Sequence, residues 1–199
     1  MYDEYNMQEK LATLWRWMMD TQSVNWNMYE MEYKGNEVKS NLSLIPLEDE
    51  YYEQYKTLID TCYYNMRKDL NIHPYEKHSY SLEEPEVLMR NTFLFIDDDK
   101  IVGAVTCNKN LIENVAVSPK YQKQGYGREL ALFAISHMQT RGNEPIKLTV
   151  TKWNENAITL YISLGFEITK ELIVKGVNKK DDNGNWAFEF IDAKDLNIR

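Results

Sequence analysis

Hydrophobic positions in this chain recur at two spacings, three to four residues and two residues, and the changeovers outline the elements. Residues 5–20 predict an amphipathic helix with Leu11, Leu14, Trp15 and Met18 on one face. Residues 21–36 hold Trp26, Met28, Tyr29, Met31 and Tyr33 without a clear period, and Lys34-Gly-Asn36 predicts a turn. Val38–Leu47 predicts a strand closed by Pro46, which lacks the N–H that a ladder needs. A long helix is expected over Glu48–Leu70, with Tyr51, Tyr55, Leu58, Cys62 and Met66 near one face. Tyr52, Tyr63 and Tyr64 widen that face beyond a single stripe. Ser81-Leu-Glu-Glu84 has the form of a capping box, opening a short helix to about Arg90.

The second half alternates more sharply. Thr92–Ile96 and Lys100–Cys107 predict two strands joined at Asp97-Asp-Asp99, with Gly103 marking a bulge. Val115 and Val117 alternate about Ala116, and Ser118-Pro119 ends that strand. After Gly125 and Gly127 the period changes: Leu130, Ala131, Ala134 and Met138 predict a helix that stops near Gly142. Ile146, Leu148 and Val150 alternate as a strand, and Asn154–Leu164 returns to helical spacing before Gly165 stops it. Phe166–Val177 and Asn185–Asp192 predict a closing hairpin, with Asn183-Gly184 as its turn.

At 199 residues and 43% hydrophobic composition the chain can bury a sizeable core as one domain with an extension, which excludes a disordered chain. No apolar run approaches the roughly eighteen residues of a membrane span, and Met1-Tyr-Asp-Glu-Tyr-Asn lacks a signal-peptide layout. Cys62 and Cys107 form no paired motif, so reduced thiols and a cytoplasmic location are expected. His73 and His78, with no Cys or Asp near them, do not make a metal site, and no metal is expected. The net charge of −8 is unevenly distributed: residues 1–90 hold 9 Lys/Arg against 17 Asp/Glu, and residues 91–199 hold 14 of each. An acidic balance argues against sequence-independent binding to nucleic acid, which needs basic surface to displace counterions.

Asn114-Val-Ala-Val-Ser-Pro-Lys-Tyr-Gln-Lys-Gln-Gly-Tyr-Gly-Arg-Glu-Leu130 reads strand, glycine-bearing loop, helix. Unpaired N–H groups at the positive end of a helix dipole make such a junction an anion site, with phosphate the usual occupant. Arg128-Glu129 follows Gly127 where a Walker loop would have Lys-Ser/Thr, and Leu130 stands where a dinucleotide fingerprint would have its third glycine. What remains is Gln122-Lys-Gln-Gly125-Tyr-Gly127, a Gln/Arg-x-x-Gly-x-Gly/Ala pattern that resembles the acyl-CoA loop of the GNAT superfamily of N-acetyltransferases. About thirty residues on, Asn154-Glu-Asn-Ala157-Ile-Thr-Leu160-Tyr161-Ile-Ser-Leu-Gly165-Phe166 resembles that family's other signature, Asn-x-x-Ala-x-x-Leu-Tyr-x-x-x-Gly-Phe. Two matches in the family's order and spacing identify the chain as a member.

The resemblance implies an α/β (α+β) fold, a mixed, mostly antiparallel sheet flanked by helices, over residues 37–199, with residues 1–36 as an N-terminal helical or irregular extension. It implies acetyl-CoA as cofactor, a small-molecule or peptide amine as acceptor, and, from the habit of the family, a homodimer. No membrane or nucleic-acid partner is expected. Val115, Ala116 and Val117 would offer main-chain contacts to the pantetheine arm. Gln122, Lys123, Gln124, Gly125, Tyr126, Gly127 and Arg128 would hold the pyrophosphate, and Asn154, Ala157 and Tyr161 would meet the cofactor from the second signature. Tyr161 matches the tyrosine that serves many members as general acid. For the base, Glu113 on the central strand, two residues before Val115 and expected on its face, is one option. A water chain reaching Tyr80, Tyr51 or an acid of the first long helix is another. Thr149 stands where some members carry a glutamate on the next strand, which removes that option. A fold that holds acyl-CoA without turnover is the alternative to an enzyme, and the presence of Tyr161 speaks for the enzyme.

Overall fold

The computed structural model describes residues 23–72, 75, 85–180 and 186–195. The helix expected over 5–20, the capping box at 81–84, His73, His78, Tyr80 and the Asn183-Gly184 turn lie outside the described residues. The strands are β1 (Ser23–Tyr33), β2 (Ile45–Pro46), β3 (Thr92–Asp97), β4 (Lys100–Asn108), β5 (Leu111–Val117), β6 (Lys147–Thr151), β7 (Phe166–Lys180) and β8 (Trp186–Asp192). The helices are α1 (Tyr52–Asp69), α2 (Pro85–Asn91), α3 (Tyr126–Thr140) and α4 (Glu155–Leu164). All eight strands join one sheet in the order β2-β3-β4-β5-β6-β1-β7-β8, antiparallel throughout except between β5 and β6.

Each face of the sheet has its own helices. Tyr55, Leu58 and Ile59 of α1 and Leu88 of α2 bury against Leu94, Ile101, Ala104 and Ala116. On the other face Leu130, Ala131, Ala134, Ile135 and Met138 of α3 join Tyr161 and Leu164 of α4 over Met31, Val105, Ile112 and Leu148. The apolar spacing of α3 and α4 thus finds its partner in the alternation of the strands beneath.

Two expectations are corrected. The stretch without a visible period contains β1, an inner strand between β6 and β7. Tyr29, Met31 and Tyr33 turn toward the α3–α4 core. Between them Glu30 and Glu32 meet Lys147, at 3.3 and 3.9 Å. The strand expected over Val38–Leu47 is only Ile45–Pro46, paired with Leu94 and Phe93 at the sheet edge, the place where a proline is tolerated. The long helix opens with a single tight turn at Asp49–Tyr51 before α1 proper.

Candidate active site

β5 and β6 pair at only two positions, Leu111 with Lys147 and Ile112 with Leu148, and then part. The parting begins beside a bulge. Glu113 lies opposite Thr106 and Ala116 opposite Ala104, so Asn114 and Val115 together face Val105 alone. Asn114 takes φ 49°, a left-handed conformation that asparagine tolerates better than most residues. The bulge breaks the two-residue alternation. Val115 and Val117 turn toward the α3–α4 core, whereas Ala116 joins the α1 face. Glu113, cross-strand partner of Thr106, shares that α1 face and not the face of Val115, which corrects the expectation drawn from simple alternation.

Helix α1 spans the mouth of the cleft. The Cys62 thiol donates to the Val117 carbonyl at 3.3 Å, on the β5 lip. One turn on, Thr151 Oγ1 of β6 meets Met66 Sδ at 3.6 Å, and Trp153 Nε1 donates to Asp69 Oδ2 at 3.0 Å. Residues 62, 66 and 69 share a helix face, so one stripe of α1 touches both lips.

Beyond Val117 the chain makes a turn at Pro119–Tyr121 and swings into α3. Gln122 Nε2 donates to the Val117 carbonyl at 2.9 Å and Gln124 Nε2 to the Lys120 carbonyl at 3.3 Å, which set the loop. Lys123 and Gly125 take φ 61° and 91°. Gly125 is the N-cap of α3 and brings no side chain to it, and nothing lies within 4 Å of where its Cβ would stand. The N–H groups of Arg128 and Glu129 donate to the Gly125 carbonyl at 2.9 and 3.2 Å, while those of Tyr126 and Gly127 come too early in the helix for intrahelical acceptors. A side chain at Gly127 would touch Val117 of β5 and Leu160 of α4, so the loop, the lip and α4 converge there. Arg128 Nη1 reaches Ser163 Oγ at 3.2 Å, and Lys123 and Arg128 are exposed. An open glycine flank, an uncapped helix start and exposed cations fit a polyanion.

On α4 the Asn154 side chain accepts the Ala157 N–H at 3.1 Å, the capping role its residue type suggests. Gly165, at φ 101°, ends the helix. These two stops fix the register in which Tyr161 points inward. Tyr161 is 8% exposed and packs edge-on to Phe166, ring centroids 5.8 Å apart. Burial pushes its phenol up to about 12. Tyr63 of α1, which sequence reasoning left among general aromatic surface, belongs to the same group. Burial, then the neighbouring Tyr161, Tyr55 and Cys62, hold its phenol above the usual range against the pull of Arg67. Arg67 is 4% exposed, lies 3.4 Å from Asp60 Oδ1 and from the Tyr75 carbonyl, and sets its guanidinium 6.0 Å from the Tyr63 ring centre. The one sequence signal for this group was Tyr63 and Arg67, four apart on a helix. A cavity of about 440 Å³ lined by Glu32, Tyr33, Lys34, Gly35, Glu144, Pro145 and Ile146 lies at the other end of β1 and β6, away from the cleft. Among the described residues no cluster of His, Cys, Asp and Glu could hold a metal ion, and no helix is long and apolar enough to cross a membrane.

The fold and cleft define a mixed α/β protein whose central parallel pair opens beside an anion-ready helix start. Residues 52–166, more than half of the chain, match the Acetyltransferase (GNAT) family, and the chain belongs to that family. It is similar to N-alpha-acetyltransferase 30 of Schizosaccharomyces pombe, 28% identical over 162 residues that cover 75% of this chain and 97% of the yeast protein. It is also similar to the [ribosomal protein bS18]-alanine N-acetyltransferase of Escherichia coli K12, 40% identical over 65 residues that cover 33% of this chain and 44% of that one. A GNAT-family acetyltransferase from Colwellia psychrerythraea shares the fold, with a TM-score of 0.57 at 13% identity, over 82% of this chain and 60% of that one. The match therefore spans under half of the bacterial enzyme and about three fifths of the solved chain.

Proposed function

We propose that the protein transfers an acetyl group from acetyl-CoA to the primary amine of a peptide or small molecule, the amine attacking directly with both substrates bound. The observation that carries this reading is the parting of β5 from β6 beside the uncapped start of α3. Val115, Ala116 and Val117 offer main-chain groups along one lip for an amide-bearing arm. Gln122, Lys123, Gln124, Gly125, Tyr126, Gly127 and Arg128 offer amides and positive charge for a pyrophosphate. Asn154 and Ala157 open α4 across from them. When bound, acetyl-CoA supplies an acyl group already activated as a thioester. The names of the two relatives, an N-alpha-acetyltransferase and an alanine N-acetyltransferase of a ribosomal protein, favour a peptide N-terminal amine as acceptor.

The chain's own groups divide the work. A main-chain N–H of β5 polarises the acyl carbonyl, a preorganised contact worth roughly 2.7–4 kcal/mol in a transition state. Glu113 takes a proton from the amine: an N–H bond breaks, an O–H bond forms on the carboxylate, and the nitrogen keeps its electron pair for attack. Tyr161 stands on the opposite face as donor to the departing sulfur. A phenol at about 12 holds its proton more firmly than a thiol near 8.5 does, so its contribution is a hydrogen bond to the thiolate and not complete transfer.

The test is calorimetric titration with acetyl-CoA and with ATP, followed by an assay for free thiol in the presence of peptides with unblocked N-termini. Acetyl-CoA should bind, ATP should not, and thiol should appear only with peptide present. No heat with acetyl-CoA would overturn the reading. Binding without thiol release from any amine would leave a module that holds acyl-CoA without turnover.

A further inference from the structure

Val117 ends β5 beyond its last pairing with β6, which is at Ile112. The next residue is held from the other side, the Ser118 N–H donating to the Val102 carbonyl of β4 at 2.9 Å. The Val117 carbonyl, without a strand to pair with on the β6 side, accepts from two side chains instead. Gln122 Nε2 donates to it at 2.9 Å and the Cys62 thiol at 3.3 Å. A carbonyl oxygen has two lone pairs, so this one is filled.

The Gln122 bond closes a ring of chain around the turn at Pro119–Tyr121. Inside that ring the Tyr121 N–H donates to the Ser118 carbonyl at 2.8 Å. Gln124 Nε2 meets the Lys120 carbonyl at 3.3 Å, overlapping the ring and carrying its order on to Gly125, the N-cap of α3. From the far side of that cap a Cβ at Gly127 would stand 3.9 Å from Val117 Cγ2. Val117 thus meets the loop through its carbonyl and the helix start through its side chain. Gln122 is exposed, so no core packing fixes its side chain, and replacing it leaves the core intact. Its amide nitrogen is committed to the protein's own carbonyl.

We propose that Gln122 is a positioning residue: by holding the Val117 carbonyl, its side chain sets the spacing between the β5 lip and the anion loop. The inference rests on the reading of acetyl-CoA as the ligand, one molecule that must reach lip and loop at once. For such a ligand the second contact is intramolecular, and it is strongest where the two sites already stand at the right separation. The side chain itself is then no ligand of the phosphates. Losing it weakens the whole ligand and spares the half that carries the pyrophosphate.

The experiment measures affinity for acetyl-CoA and for its phosphate-bearing half, 3′-phosphoadenosine 5′-diphosphate, by calorimetry, directly for the first and by displacement of acetyl-CoA for the second. Gln122→Met keeps the length of the side chain and removes the donor. It should weaken acetyl-CoA about threefold to tenfold, the size of one neutral hydrogen bond, with the half-ligand unchanged. Gln122→Arg returns an N–H donor and should restore the wild-type ratio of the two affinities, whatever its added charge does to both. A ratio unmoved in Gln122→Met overturns the inference, because equal weakening makes the side chain a phosphate contact and no weakening makes it idle. Tighter acetyl-CoA binding in that variant also overturns it, since the side chain then only occupies a place that the ligand needs. Failure of the wild-type protein to bind acetyl-CoA removes the underlying reading as well, whereas wild-type binding with an unmoved ratio removes this inference alone.

Discussion

The thiol of Cys62 donates to the carbonyl of Val117 at 3.3 Å, tying helix α1 to the central strand where the two middle strands separate. Burial outweighs this bond and pushes the thiol up to about 11, while the buried Cys107 reaches about 12. At pH 8 only on the order of one Cys62 thiol in a thousand would be ionised. Iodoacetamide at that pH should leave both cysteines unmodified in the folded protein and alkylate both in urea, as read by intact mass.

The same burial predicts a stability profile. Cys62, Cys107, Tyr161 and Tyr63 all have pKa values raised in the fold by desolvation. Each contributes stability that is complete below its unfolded pKa, 9.0 for the thiols and 10.0 for the phenols, and that is lost as pH rises through the folded value. Urea midpoints should therefore hold to about pH 8.5 and then fall, each group adding about 1.4 kcal/mol per pH unit within its own window. Cys107→Ala should make the decline between pH 9 and 11 shallower by one such contribution, whatever its cost at pH 7.

Gly125 separates conformation from chemistry. Its φ of 91° disfavours any side chain, although the space beside it is open. Gly125→Ala should cost about 1–2 kcal/mol of stability and weaken acetyl-CoA binding only modestly. Gly125→Asp adds a negative charge at the helix start and should abolish binding by calorimetry. Equal affinity of the two variants would remove the loop from the cofactor site.

Tyr161→Phe removes a hydroxyl that the proposed chemistry uses only as bonds to sulfur break. A hydrogen bond to a charged atom is worth about 1.5–3 kcal/mol, so kcat should fall roughly tenfold to a hundredfold with acetyl-CoA affinity unchanged. Unaltered turnover would return Tyr161 to the core, where its ring already packs against Phe166.

Asn154 can be tested for two roles at once. Asn154→Ala removes the acceptor for the Ala157 N–H and should cost about 1 kcal/mol in chemical denaturation. Asn154→Asp keeps a capping oxygen and should recover that stability. If the aspartate variant regains stability but binds acetyl-CoA as weakly as the alanine variant, the amide of Asn154 meets the cofactor as well as its own helix.

The parts of this fold that could be read from sequence are those where one physical rule acts alone. Asn154 and Gly165 cap α4 where the chain spells a start and a stop, and the Gly125–Gly127 turn into α3 follows from a change of period. β1 was hidden because Asn and Glu are poor strand formers, and its Glu30 and Glu32 are answered by lysines that spacing does not reveal, Lys147 of β6 for both, Lys170 for Glu30 and Lys34 for Glu32. The alternation of Tyr29, Met31 and Tyr33 was present, but its partners lie far along the chain. The facing of Glu113 was misread for a different reason. Period-two reasoning assumes an unbroken strand, and a single left-handed Asn114 reverses its outcome. Tyr63 and Arg67 are legible as a pair four apart on a helix, but the approach of Tyr63 to Tyr161 comes from tertiary packing, for which spacing within α1 carries no signal.

The position of β1 also bears on how the molecule can assemble. The strand is the first described element, yet its partners are the last half of the chain: Met28 pairs with Thr151, and Ser23 with Val177. On a ribosome the meander β3–β4–β5 can form from its own neighbours, while β1 must wait, unpaired and holding apolar side chains, until β6 and β7 emerge to enclose it. Such non-local closure slows folding and prolongs the exposure of a strand edge. Folding from a chaperone-free extract should therefore be limited by the arrival of the C-terminal strands, and a nascent chain halted before β7 would leave β1, the strand that backs the β6 wall of the cleft, open along its other edge.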